Sequence, residues 1–166
     1  MTFPNRIFLV GLPGAGKSTV GQYLAKELTY SFCDLDQIIE KNDGRLITRI
    51  FSEDGEASFR LKEKDALRSI SQEKVVVATG GGAPCFHENM KWMNDNGFTV
   101  FLNPSIETIV ERIIEETHRP LMQGDPKKKL LELLSSREVY YKQSGMESSQ
   151  SDPCEILAEL LHFFKN

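Results

Sequence analysis

The stretch that most constrains this chain is Gly11–Thr19, which reads GLPGAGKST. A short apolar run, Ile7-Phe8-Leu9-Val10, precedes it, and the helical spacing of Val20, Leu24, Ala25 and Leu28 follows. Strand, glycine loop and helix therefore come in direct succession, with Gly11, Gly16, Lys17 and Ser18 at the spacing of a phosphate-binding loop. The reason is physical. Glycines let backbone N–H groups turn inward around a polyphosphate, and the helix that follows presents its positive end to the same anion. Lys17 has the reach for β- and γ-phosphates, and the Ser18 hydroxyl suits Mg²⁺. The alternative, a chance glycine turn, is disfavoured by the strand before and the helix after.

The remaining chain alternates strand and helix. Arg6–Val10, Ser31–Cys33, Lys74–Ala78 and Phe98–Leu102 read as strands. Helices are expected over Ser18–Leu28, Gln37–Lys41, Glu56–Ile70, Ser105–Glu116, Leu130–Tyr141 and Cys154–Phe164. That order predicts a parallel sheet covered by helices on both faces. At 166 residues the chain is expected to form a single domain. Residues 115–129 are polar and broken, and read as a candidate lid.

Composition narrows the function classes. A formal net charge of −4 argues against a nucleic-acid surface. No apolar run approaches the ~20 residues that cross a bilayer, and no basic region with a long apolar stretch opens the chain, so neither membrane insertion nor a secretory leader is expected. Cys33, Cys85 and Cys154 lack metal-ligand spacing and read as reduced thiols, which suits the cytoplasm. An acidic protein that binds an anionic nucleotide has to gather its cations locally, which directs attention to the arginines.

Four further groups carry candidate chemistry. Asp34-Leu35-Asp36 follows a strand; if it stays extended, both carboxylates point one way, into the crevice where open α/β sheets bind ligands. The competing reading is helix capping by one of them. Arg60 and Glu63 share a helix face, either as a solvated ion pair or as a guanidinium fork held by Glu63 and aimed at a carboxylate. Thr79-Gly80-Gly81-Gly82 ends a buried strand, so the chain either only turns there or approaches a ligand closely. Arg112 and Arg119 bracket the start of the polar segment, where His118 reads as a solvated histidine.

Taken in order, GLPGAGKST, DLD at Asp34–Asp36, FRLKE at Phe59–Glu63, TGGG at Thr79–Gly82, RPL at Arg119–Leu121 and Arg137 ahead of Tyr140-Tyr141 resemble the shikimate kinases. The resemblance spans residues 7 to about 141. It implies a P-loop kinase fold of the nucleoside-monophosphate-kinase type, α/β, three-layered α/β/α with a five-stranded parallel sheet, a substrate-binding segment at 34–63 and a lid at 113–128. It implies transfer of the ATP γ-phosphoryl to the 3-hydroxyl of shikimate, a step towards aromatic amino acids, with Mg²⁺ as cofactor and shikimate and ATP as the only partners of a monomer. By motif, Gly14, Ala15, Gly16, Lys17, Ser18 and Thr19 hold the phosphates, Ser18 ligates the metal, and Arg112 packs on adenine. Asp34 and Asp36 meet substrate hydroxyls, Arg60 and Arg137 clamp the carboxylate, Gly80, Gly81 and Gly82 give backbone contacts, and Arg119 closes from the lid. Lys17, Asp34 and Arg119 form the catalytic set. The chain departs from the family pattern after Lys142: Gln143–Asp152 is polar and short where the family has an apolar fifth strand and an adenine-contacting loop.

The residue chemistry fits such a substrate. Carboxylates favour bidentate guanidinium, and ring hydroxyls favour carboxylate acceptors. Two rival substrates, a gluconate-like polyhydroxy acid and a nucleoside monophosphate, fit the same fold. FRLKE and TGGG favour shikimate over gluconate, and Asp34 and Asp36 suit hydroxyls better than a phosphate acceptor. A nucleotide-binding regulator without turnover is disfavoured by the intact Lys17, Ser18, Asp34, Arg60, Arg119 and Arg137.

Overall fold

The computed structural model describes residues 3–115 and 124–165. Five parallel strands form one sheet in the order β2-β3-β1-β4-β5: β1 Arg6–Val10, β2 Ser31–Asp34, β3 Val75–Ala78, β4 Phe98–Leu102 and β5 Met146–Ser148. The central strand β1 pairs with β3 and β4, and Ile7 through Val10 are fully buried. Val75, Val76 and Val77 are equally buried. Continuous apolar strands of this kind belong to a sheet covered on both faces.

Among the described residues are seven α-helices, α1 Lys17–Leu28, α2 Leu35–Asp43, α3 Ile47–Arg68, α4 Asn89–Asn96, α5 Ile106–Glu115, α6 Pro126–Tyr141 and α7 Pro153–Lys165, and a single 3-10 turn at Ala83–Cys85. Helix α1 packs on β3 and against α7, and α4 packs on β4. Because β1 leads to the edge strand β2 on one side while β3 crosses to β4 on the other, the chain reverses direction across β1. Such a switch opens a crevice at the carboxyl ends of the strands. Gly11, Asp34 and Thr79 each follow or end a strand on that edge.

Three local expectations are corrected. Asp34-Leu35-Asp36 does not stay extended: α2 begins at Leu35 because the Asp34 carboxylate caps it, accepting from the N–H groups of Asp36 and Gln37 at 3.0 and 3.4 Å. The helix expected over Glu56–Ile70 begins earlier and ends at Arg68: α3 runs from Ile47, with a kink at Gly55. The polar stretch before Leu130 is partly helical, since Asp125 caps α6 and Pro126 occupies its first turn. Of the expected lid, residues 113–115 end α5 and 126–128 begin α6, whereas 116–123, with His118 and Arg119, lie outside the described residues. The fifth strand is present as three residues, Met146-Glu147-Ser148, in register with Val100–Leu102.

Candidate active site

The phosphate loop turns from β1 into α1. Gly16 sits at φ 94°, a left-handed conformation that costs other residues energy, and a Cβ there would lie 2.9 Å from the Arg112 guanidinium. Arg112 reaches over from α5 and donates to the Ala15 carbonyl at 3.0 Å and to the Ser151 carbonyl at 3.1 Å. It therefore joins the loop to the segment ahead of α7. The Lys17 ammonium donates to the carbonyls of Gly11 and Leu12 at 2.7 and 2.8 Å. As a residue Lys17 is only half-buried, but its charged end is enclosed by the loop. That enclosure pushes its pKa down to about 8; Asp36 and Asp34 oppose the shift, and Arg137 adds to it.

Asp34 faces the loop from the end of β2. Its Oδ2 accepts from the Ser18 hydroxyl at 3.0 Å while Oδ1 caps α2. Capping and site geometry thus coexist in one carboxylate. Asp36 is the second residue of α2, in its first turn, where burial and then the neighbouring Asp34 raise its pKa. Together Gly14, Gly16, Lys17, Ser18, Thr19, Asp34, Asp36, Thr79, Gly80, Gly81, Arg112 and the Ser151–Pro153 segment surround a cleft of about 630 Å³.

Gly80, Gly81 and Gly82 resolve the question of the triple glycine by close approach. A Cβ on Gly80 would meet Asp36 Oδ1 and Glu63 Oε2, both at 3.2 Å. On Gly81 it would meet Pro13 Cδ at 2.9 Å and an Arg137 terminal nitrogen at 3.0 Å. On Gly82 it would run into the Arg60 guanidinium, at 2.5 and 2.8 Å from its two terminal nitrogens. The glycines are a floor on which two guanidinium groups rest. Neither Arg60 nor Arg137 lines the cleft itself; Arg60 packs on Gly82 and Arg137 on Gly81, near enough that Arg60 acts on the charge of Asp36 and Arg137 on that of Lys17. Of the four predicted residues, Asp34 and Asp36 line the cleft beside Lys17, while Arg60 and Arg137 lie against the glycine strip that borders it.

Arg60 is held on all sides. It donates to Glu63 Oε1 at 2.8 Å and to Glu56 at 3.2 Å, and its guanidinium lies 4.3 Å from the Phe86 ring centre and 5.2 Å from that of Phe59. Glu63 is 1% exposed, which removes the surface-pair reading. Burial raises its pKa and Arg60 pulls it back. An isolated charge at that depth would be costly, so the pair is mutually required. The sequence reading missed Phe86, whose contact with Arg60 carries no helical spacing, and the Tyr141 hydroxyl, which donates to the Gly81 carbonyl and so steadies the floor. Burial pushes that phenol up to about 12, so it stays a donor at neutral pH. Among the described residues no cluster of three or more His, Cys, Asp and Glu side chains is placed to hold a metal by itself.

A glycine loop feeding a helix, on a parallel sheet of this order with a cleft along its carboxyl edge, defines a P-loop kinase fold. Residues 13–165 match the family model for shikimate kinase, and the chain belongs to the shikimate kinase family. A shikimate kinase from Bacteroides fragilis is 44% identical over 84% of this chain and 82% of its own length. The crystal structure of shikimate kinase from Bacteroides thetaiotaomicron superposes with a TM-score of 0.88 at 36% identity, covering 96% of this chain and 99% of that one. The Acinetobacter baumannii shikimate kinase, solved in complex with shikimate, gives 0.87 at 34% identity over 98% and 93% of the two chains. A gluconokinase from Sinorhizobium meliloti, at 21% identity and a TM-score of 0.59 over the full length of both chains, shares the fold alone.

Proposed function

We propose that this protein transfers the γ-phosphoryl group of ATP to the 3-hydroxyl of shikimate, giving shikimate 3-phosphate and ADP. The observation that carries the reading is the pair of guanidinium groups, Arg60 packed on Gly82 and Arg137 on Gly81, beside the cleft that Lys17, Asp34, Asp36 and Gly81 line. A small acid with one carboxylate and several hydroxyls matches that arrangement group for group. In this reading Arg60 and Arg137 hold the carboxylate, Gly80–Gly82 lie beneath the ring, and Asp36 accepts from ring hydroxyls. Asp34 orients the reacting hydroxyl or takes its proton.

Gly14 to Thr19 cradle the phosphates, and Lys17 exchanges its two loop carbonyls for phosphate oxygens. The Ser18 hydroxyl and the Asp34 carboxylate, 3.0 Å apart on the cleft wall, are the oxygen donors that fit Mg²⁺. That ion favours one or two protein oxygens completed by water and phosphate, and when bound it neutralises charge between the β- and γ-phosphates. Arg112 and the Ser151–Pro153 segment form the nucleoside end. Arg119 supplies a further cation from the lid at 113–128, and residues 34–63 form the substrate-binding segment. In this reading the protein is a cytoplasmic monomer whose partners are shikimate and ATP, without nucleic acid or membrane. Separately, no described helix is long and apolar enough to cross a bilayer.

The test is ADP release with Mg²⁺ and ATP over a panel of shikimate, gluconate and AMP, run beside Arg60→Ala. Turnover with shikimate alone, strongly weakened in the variant, is the expected result. Preferred turnover of gluconate or AMP, or nucleotide binding without transfer to any acceptor, overturns the reading.

A further inference from the structure

Helix α3 is two helices end to end. Gly55, at φ 82° and ψ 171°, interrupts it, leaving Ile47–Asp54 before the kink and Glu56–Arg68 after it. The second half carries Arg60 and Glu63, so the angle at Gly55 sets how the first half and the turn before it brace the segment that bears Arg60. Glycine is the residue for which other angles at this position cost least, and a Cβ there would meet nothing within 4 Å. Packing at Gly55 itself therefore does not fix the angle.

An ion network spans the kink. Arg45, in the turn between α2 and α3, donates to both carboxylate oxygens of Asp43 at 2.7 and 3.2 Å, to Glu53 at 2.8 Å and to Asp54 at 3.1 and 2.6 Å. Glu53 and Asp54 are the last residues before Gly55. Asp43, with a side chain only 8% exposed, also accepts Lys62 at 2.8 Å, and Lys62 adjoins Glu63 on the far side of the kink. Phe51 and Phe59 stack across the same point with ring centres 4.4 Å apart. These ties use bidentate guanidinium geometry and share members, which distinguishes them from an isolated surface pair.

We infer that Arg45, through Asp43 and Lys62, locks the two halves of α3 across Gly55 and so holds Arg60 in place for the substrate carboxylate. Arg45 is a positioning residue and touches no reactant. The inference rests on the proposed function of Arg60. It predicts that loosening the lock weakens binding of the acid, leaving the nucleotide end and the chemical step alone.

Steady-state kinetics of Arg45→Met, with shikimate and ATP varied separately, test this. The KM for shikimate is expected to rise about ten-fold, as for loss of one well-made charged hydrogen bond, with kcat and the KM for ATP within about two-fold of the parent. Arg45→Lys should recover part of the loss. Gly55→Ala, which strains the kink directly, should give the same signature, and combining it with Arg45→Met should raise the KM by less than the product of the single effects. If Arg45→Met does not fold, Lys62→Met removes the tie to the second half alone and carries the same expectation. An unchanged KM for shikimate in a folded variant, or equal losses for shikimate and ATP, overturns the lock and leaves the kinase reading standing. A parent protein inert toward shikimate removes both.

Discussion

Replacing Gly82 by alanine is the sharpest probe of the glycine floor. The backbone there sits at φ −89° and ψ −13°, which alanine adopts without strain. The added methyl would stand 2.5 and 2.8 Å from the two terminal nitrogens of Arg60 and 2.9 Å from its central carbon. Contact at ordinary van der Waals distance requires the guanidinium to withdraw by roughly 1 Å. The displaced group is the end of a long side chain, so the fold should survive the change, but the guanidinium is buried and paired with Glu63, and a stability cost of about 1–3 kcal/mol is expected. Carboxylate binding should not tolerate it. Loss of one charged hydrogen bond costs ~1.5–3 kcal/mol, which is roughly a ten- to hundred-fold rise in the KM for shikimate. Because the carboxylate is remote from the reacting hydroxyl, the loss is in uniform binding and kcat should hold within a few-fold. Coupled ADP-release kinetics with shikimate and ATP varied independently, alongside a thermal melt, measure all three quantities. An unchanged KM for shikimate in a protein of parental melting temperature would refute the argument that the glycine exists to seat Arg60.

Other outcomes follow from the same geometry. Lys17 gives up its proton near pH 8 in the free protein, and phosphate oxygens favour the protonated form, so equilibrium affinity for ADP should fall as pH rises above about 8, by up to roughly ten-fold per unit; Lys17→Met should flatten that dependence. Asp34→Asn preserves an acceptor for the α2 cap and should fold, while kcat falls by about 10²–10⁴ if the carboxylate accepts the hydroxyl proton; near-parental turnover removes that role. Asp36 has its pKa raised by burial and by Asp34, so its native form binds more protons than the unfolded chain just above the ordinary carboxylate range, and its charge lowers stability at neutral pH. Asp36→Asn should therefore raise the melting temperature at pH 7 more than at pH 3 while shikimate turnover is lost. Arg112→Ala removes the bond between the loop and Ser151, and should raise the KM for ATP several-fold with the KM for shikimate unmoved, as read by the same coupled assay.

The parts legible in the sequence are those whose chemistry is local. The phosphate loop, the four apolar strands and the Arg60–Glu63 spacing each carry their reason within a few residues. β5 does not: Met146-Glu147-Ser148 has no apolar run, and its place comes from the ladder with Val100–Leu102 on a sheet edge. Helix α4 gave no clear period, although Met90 and Met93 are buried and Trp92 meets Phe8 edge-on. The start of α6 was obscured because lysines and Asp125 resemble a polar loop, whereas an aspartate followed by proline is also a good helix start. Asp34 reads in the sequence as cap or site residue, and it is both, because Oδ1 accepts from the first turn of α2 while Oδ2 accepts from Ser18.

The triple glycine shows why part of a site stays hidden in one dimension. Its local reading, a turn or a ligand approach, treats the absent side chains as room for backbone. The space beside Gly81 and Gly82 is taken instead by guanidinium groups from α6 and α3, and that beside Gly80 by the carboxylates of Asp36 and Glu63, from elements separated from the glycines by long stretches of chain. Arg60 in turn depends on Glu63 beside it, Phe86 beyond the glycines and, through the kink at Gly55, on Arg45 before it. The Glu63 tie has helical spacing, but the Phe86 contact and the link to Arg45 have none, because the fold and not the helix period brings those partners together. A substitution at Gly82 or Arg45 would look conservative or peripheral on the sequence, and on these grounds both should act on the binding of the acid.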